Sequence, residues 1–195
     1  MADILTHIMQ RRSIRKFTSA PVSAADLDVL LRAAMAAPSA SNCKPWEFVV
    51  VTEAMILERL RKGLVLGRYN APAAIVVCGN MRRALPAPVR EFWMQDCSAA
   101  AQNLLLASAG TGFGSVWVGI YPIVPFIRWV AKVLGLPRYI VPLGLVWIGY
   151  PAEIKQPRTQ YDARRVHWQR YAKTVDDDEL PPDDQAPQAA DLQGE

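Results

Sequence analysis

Four short apolar runs, 48–51, 74–78, 115–120 and 139–149, do most to limit what this chain can fold into. Val49-Val50-Val51 and Ile75-Val76-Val77 are β-branched and bounded by polar or turn residues, which favours buried strands over helix segments. Longer stretches between them carry helical spacing. These predict helices over 3–10, from Ser23 to Pro38, over 53–62, over 91–109 and over 123–134. Ser23 is a natural N-cap, with Asp26 three residues on as a short variant of the capping box. Leu27, Leu30, Leu31 and Ala34 then share one face. Helices alternating with short buried strands indicate a mixed α and β single domain.

The run Gly110-Thr111-Gly112-Phe113-Gly114 resembles a dinucleotide fingerprint only in composition. That fingerprint needs a strand before it and a helix after it, whereas here a helix precedes and a strand follows. A helix C-cap and tight turn fits instead, and a Rossmann domain is excluded. The preceding helix is almost wholly small residues from Cys97 to Ala101, so another backbone can approach it closely. Such a helix is either buried within one domain or part of a subunit interface.

A chain of 195 residues that is 51% hydrophobic can bury a sizeable core. No secretory signal is read in 1–10, and Arg128, Lys132, Arg138 and several prolines interrupt the apolar region 121–150, which excludes a membrane span. Cys43, Cys78 and Cys97 are scattered without a CxxC pair, so neither a disulfide framework nor a metal site is expected, and the cytoplasm is the expected compartment. The net charge of +4 conceals an asymmetry. Residues 175–195 hold eight acidic residues and no Lys or Arg, leaving 22 basic against 10 acidic residues in 1–174. Residues 1–174 are therefore expected to form a basic domain, and 175–195 an acidic, proline-containing disordered tail. A basic body favours anionic ligands such as phosphorylated cofactors. Nucleic acid is not the expected partner, because the arginines are dispersed among apolar segments and no nucleic-acid-binding signature is present.

Near the start, Arg11-Arg12-Ser13-Ile14-Arg15 concentrates forked and hydroxyl donors that suit a phosphate. A polar turn, Ala37-Pro38-Ser39-Ala40-Ser41-Asn42-Cys43-Lys44-Pro45-Trp46, follows between an apolar helix and an apolar strand. With three further stretches, 92–106, 112–119 and 141–151, and a closing Tyr161-Asp162-Ala163-Arg164-Arg165-Val166-His167-Trp168, the chain resembles the FMN-dependent nitroreductase family over roughly residues 4–172. That resemblance implies an α+β fold, with a central mixed, mainly antiparallel sheet flanked by helices, assembled as an intertwined homodimer. It also implies FMN at the subunit interface and NADH or NADPH as hydride donor. Arg11, Arg12 and Ser13 would serve the phosphate and ribityl end, and Arg15 the flavin N1 and O2 edge. One of Arg164 and Arg165 would return to the phosphate. Pro38, Ser39 and Asn42 would reach the flavin from the partner chain, while Trp117, Val118 and Gly119 run beside the ring.

The implied activity is FMN-dependent reduction of small acceptors such as nitroaromatics, quinones or enones in a ping-pong cycle, with no side-chain nucleophile and no metal. A flavin-storing or flavin-sensing protein, and a reductive dehalogenase or flavin-fragmenting enzyme on the same scaffold, are the alternatives. Two departures from the family pattern stand out. Lys44 stands after Cys43 where many relatives have glutamine, and 63–70 offers mainly Leu, Gly and Arg68 where some relatives supply polar contacts.

Overall fold

The computed structural model describes residues 4–157 and 160–171. They fall into two compact units, divided after Arg158. The predicted acidic tail, 175–195, lies outside the described residues.

In the first unit nine principal elements follow in order: α1 (Ile4–Gln10), α2 (Ala24–Met35), β1 (Trp46–Val51), α3 (Ala54–Gly63), β2 (Ala73–Asn80), α4 (Phe92–Gly110), β3 (Gly114–Gly119), α5 (Val124–Leu134) and β4 (Ile140–Gly149). The strands form one sheet in the order β1-β2-β4-β3, and every neighbouring pair is antiparallel. The fold is thus α+β, with β2 and β4 inside and β1 and β3 at the edges.

Strand periodicity places the helices. Alternate residues Ala74, Val76 and Cys78 of β2 face Leu57, Leu60, Val130 and Val133 of α3 and α5. Their neighbours Ala73 and Ile75 face Leu27, Leu30 and Leu104 of α2 and α4, and Val77 meets Trp93 and Ala100 farther along α4. The sheet is therefore covered on both faces, which explains why β2 is buried at all eight positions rather than alternating. Ser23 caps α2 as its sequence predicts, accepting the Asp26 N–H at 3.1 Å. Of the small residues of α4, Cys97, Ala100 and Ala101 are fully buried inside this unit, while Ser98 and Ala99 are half-buried. At the end of α4 the turn needs a positive φ, which Gly112 supplies at +84°.

The sheet carries one irregularity, in β4. Val77 pairs with Gly144 but Cys78 pairs with Pro142, so β4 holds Leu143 as an extra residue. Leu145 and Trp147 pack toward α3 and α5, whereas Leu143, two residues before Leu145, packs toward α4. The extra residue reverses which face the first part of β4 presents.

The second unit, by itself, contains a short 3₁₀ turn, Ala163–Arg165, capped by Asp162. His167 packs against Tyr171, with ring centroids 4.2 Å apart.

Candidate functional site

The arginine segment lies along the outer edge of β3. Ser13 bridges Ser115 in parallel, and the Ile14 N–H donates to the Ser115 carbonyl at 3.0 Å. The chain then crosses to the extension of β4, where Phe17 bridges Pro151. There the Thr18 N–H donates to the Tyr150 carbonyl and the Ala152 N–H to the Lys16 carbonyl, each at 2.9 Å. Segments far apart in sequence are thus joined at one sheet edge.

Residues 153–156 enclose this segment. Glu153 accepts the backbone N–H groups of Arg15 at 2.5 Å and Lys16 at 3.2 Å. Those bonds, the Arg15 one foremost, hold its carboxyl below the ordinary carboxylate range. Lys155 donates to the Ser13 carbonyl at 2.7 Å and pairs with Glu153 at 3.1 Å, while Arg12 donates to the Gln156 carbonyl. From the other side, Tyr69 accepts from Arg15 Nε at 3.2 Å, and the Asn70 amide bonds both the N–H and the carbonyl of Phe17. Among the described residues no carboxylate pairs with the side chain of Arg11, Arg12 or Arg15. Burial, and then repulsion from Arg12, lowers the Arg11 pKa from its ordinary value, yet a guanidinium stays charged at neutral pH. Three guanidinium groups within five residues, with no carboxylate among the described residues paired to their side chains, have the chemistry of an anion cradle.

The 38–44 loop is organised differently. Ala40–Asn42 form a 3₁₀ turn, and Ser41, Asn42 and Lys44 all have positive φ, at 48°, 54° and 46°. Asp96 of α4, 5% exposed, accepts the Ala40 N–H at 2.8 Å and the Cys43 thiol at 3.5 Å. Burial and that carboxylate raise the Cys43 pKa, so the thiol stays protonated at neutral pH. Ser39 accepts the Lys44 N–H at 3.0 Å. Pro38 and Ser39, with Phe92, Gln95 and Asp96, line a cavity of about 400 Å³.

Beyond Ser115, β3 divides its side chains between two faces. Trp117 and Gly119 line a second cavity, of about 660 Å³, with Met94, Ser98, Tyr121 and Leu143. Tyr121 also stands edge-on to Trp93, at 5.2 Å between ring centroids. Trp117 lies over Gly144, where a Cβ would fall 2.1 Å from the indole nitrogen, so no larger residue fits without moving the ring. Val118 is turned the other way: its side chain belongs to the core against α3 and α5, leaving only its backbone beside Trp117 and Gly119. The two cavities share no lining residue.

In the second unit, both candidate arginines are drawn onto Asp162. Arg164 engages it through Nε at 3.0 Å and a terminal nitrogen at 2.9 Å, and Arg165 approaches at 3.6 Å. The Arg164 bonds lower the Asp162 pKa. Sequence inspection missed Tyr69, Asn70, Asp96, Glu153 and Lys155. Tyr69 and Asn70 fall within 63–70, the stretch read as mainly Leu, Gly and Arg68. Among the described residues there is no cluster of His, Cys, Asp or Glu able to hold a metal, and no helix is long and apolar enough to cross a membrane.

Comparison with known proteins matches this architecture. The profile described as Nitroreductase family fits residues 8–67 and 62–150. A protein of Archaeoglobus fulgidus, provisionally named NADH dehydrogenase/NAD(P)H nitroreductase, is 38% identical over 88% of this chain and its own whole length. The crystal structure of a Bacteroides thetaiotaomicron protein with the same provisional name superposes with a TM-score of 0.81 at 37% identity, covering 88% of this chain and 100% of that one. An FMN-dependent nitroreductase from Clostridium difficile gives a TM-score of 0.77 at 28% identity, covering 86% and 99%. Fold and kinship define an NAD(P)H-dependent oxidoreductase. The chain belongs to the nitroreductase family.

Proposed function

We propose that the protein is an FMN-dependent NAD(P)H oxidoreductase that reduces small electron acceptors, such as nitroaromatics, quinones or enones. It works as a cytoplasmic homodimer with FMN at the subunit interface. The observation that carries this is the bridge between Ser13 and Ser115, which unites the Arg-Ser-x-Arg segment with the strand bearing Trp117 to Gly119. The donor set fits the cofactor: among the described residues no carboxylate pairs with the arginine side chains of the cradle, Glu153 being engaged by backbone N–H groups and Lys155, and an apolar wall stands two residues farther along β3.

Arg11, Arg12 and Ser13 hold the phosphate and ribityl end. Arg15 supplies positive charge at the pyrimidine edge. Trp117 and Gly119 flank the ring, with Val118 contributing backbone only. Pro38, Ser39 and Asn42 serve the partner subunit's cofactor, a role supported by the position of Pro38 and Ser39 on a cavity separate from the Trp117 wall. FMN, when bound, supplies the two-electron relay between NAD(P)H and the acceptor. A fixed cation beside it favours the reduced form, because negative charge gathers there on reduction.

The test is the visible spectrum of the purified protein before and after anaerobic NADH or NADPH, followed by a nitroaromatic or quinone. A yellow protein that bleaches with the nucleotide and recovers with the acceptor is the expected result. Parallel double-reciprocal plots would accompany it. Bleaching without recovery on any acceptor would favour storage or sensing, and a colourless protein that takes up no added FMN would overturn the proposal.

A further inference from the structure

We infer that Tyr69 is a positioning residue that sets the electrostatics of the flavin site through Arg15. This rests on the function proposed above. Arg15 is exposed, and a long exposed arginine ordinarily samples many rotamers, so its charge acts at no fixed point. Here the Tyr69 hydroxyl accepts from Nε at 3.2 Å, and among the described residues no other protein acceptor holds the guanidinium. Since Nε carries one of its five N–H groups, the four on the terminal nitrogens are left for a ligand.

Tyr69 is itself fixed. Arg61 donates Nε to the Tyr69 carbonyl and a terminal nitrogen to the Ala71 carbonyl, both at 2.7 Å. The Arg61 guanidinium lies 5.1 Å from the centroid of the fully buried Trp147 ring, and the Trp147 indole N–H donates to the Gly67 carbonyl at 2.8 Å. The neighbouring Asn70 amide clamps Phe17, two residues beyond Arg15. A chain of contacts therefore runs from the sheet core through Arg61 and Tyr69 to Arg15, while Glu153 holds the Arg15 backbone from the opposite side. Charge that is positioned in advance stabilises developing negative charge without reorganisation.

The experiment compares the FMN-loaded wild type with Tyr69→Phe, Arg15→Gln and the double variant. The midpoint potential is measured by anaerobic dye equilibration, and the Arg15 Nε–H signal is followed by nitrogen-15 NMR in the FMN-free protein. Tyr69→Phe keeps the ring and removes only the hydroxyl. It is expected to reduce the preference for reduced over oxidised FMN by about tenfold, a fall of about 30 mV for a two-electron couple. It should also broaden or lose the Nε–H signal. The double variant is expected to fall no further than Arg15→Gln alone, because both act through one guanidinium. A role in stability alone would lower the melting temperature and leave the potential in place. An unchanged potential in Tyr69→Phe, or additive shifts in the double variant, overturns the positioning role while the flavoenzyme stands, and so does an unchanged potential in Arg15→Gln. A wild type that takes up no FMN overturns both.

Discussion

The 11–17 segment and the 38–44 loop are both proposed to serve flavin sites, yet they are held in shape by opposite means. The first has little structure of its own. It is a stretched piece of chain gripped from outside by Ser115, Asn70, Tyr69, Glu153 and Lys155. The second is largely self-made, from a 3₁₀ turn and three residues in the left-handed region, with Asp96 as its tertiary anchor. An externally gripped segment can be tuned by changing residues far from any ligand. A self-made loop stores its conformation locally and depends on one buried carboxylate.

The contrast breaks most sharply at that carboxylate. Asp96→Ala leaves the Ala40 N–H and the Cys43 thiol without their acceptor and should cost about 1–3 kcal/mol in chemical denaturation. Hydrogen exchange should quicken at 39–44 and stay unchanged at 13–17. Asn70→Ala is the mirror experiment: losing the paired bonds to Phe17 should cost about 1 kcal/mol and quicken exchange at 15–17 only.

Acidification should separate the two regions more gently. The Glu153 pKa is depressed on folding, so its contribution is fully present above the unfolded carboxylate value of about 4.5 and is lost as pH falls through the lower folded value. The protection factor of the Arg15 amide should hold at neutral pH and drop only below that range, and Glu153→Gln should abolish the drop. The smallest effect is expected at Lys44. Its φ of 46° is strained for a residue with a Cβ, so Lys44→Gly should be neutral or stabilising by up to about 1 kcal/mol, the relief of strain being partly offset by glycine's greater unfolded freedom.

Much of the scaffold was legible because it is written in local chemistry. The β-branched runs became strands, Ser23 became a cap, and Gly112 marked the turn after α4. The clamp around Arg15 was not legible, since Tyr69 and Glu153 lie 54 and 138 positions away and carry no signature of their own. Within the block Trp117, Val118 and Gly119, strand periodicity sends the middle side chain to the opposite face and leaves its backbone beside the other two. Asp96 was hidden for a related reason: in a helix of small and apolar residues it reads as one more surface acid, until the fold turns it inward against the loop.

The extra residue in β4 gives the molecule a seam between persistence and change. That residue, Leu143, lines the cavity beside Trp117; beyond it, Leu145 and Trp147 belong to the core against α3 and α5. Were the strand regular, Leu143 would share a face with Leu145 and Trp147, and any alteration of the cavity wall would disturb the core against α3 and α5. With the phase reversed, the wall at position 143 can be rewritten while the two residues that anchor the sheet keep their partners. A lineage or an engineer seeking a new acceptor can alter that one position without touching Leu145 or Trp147, although Leu143 is itself buried among Val77, Trp93 and Ala100 and its replacement must repack that smaller cluster.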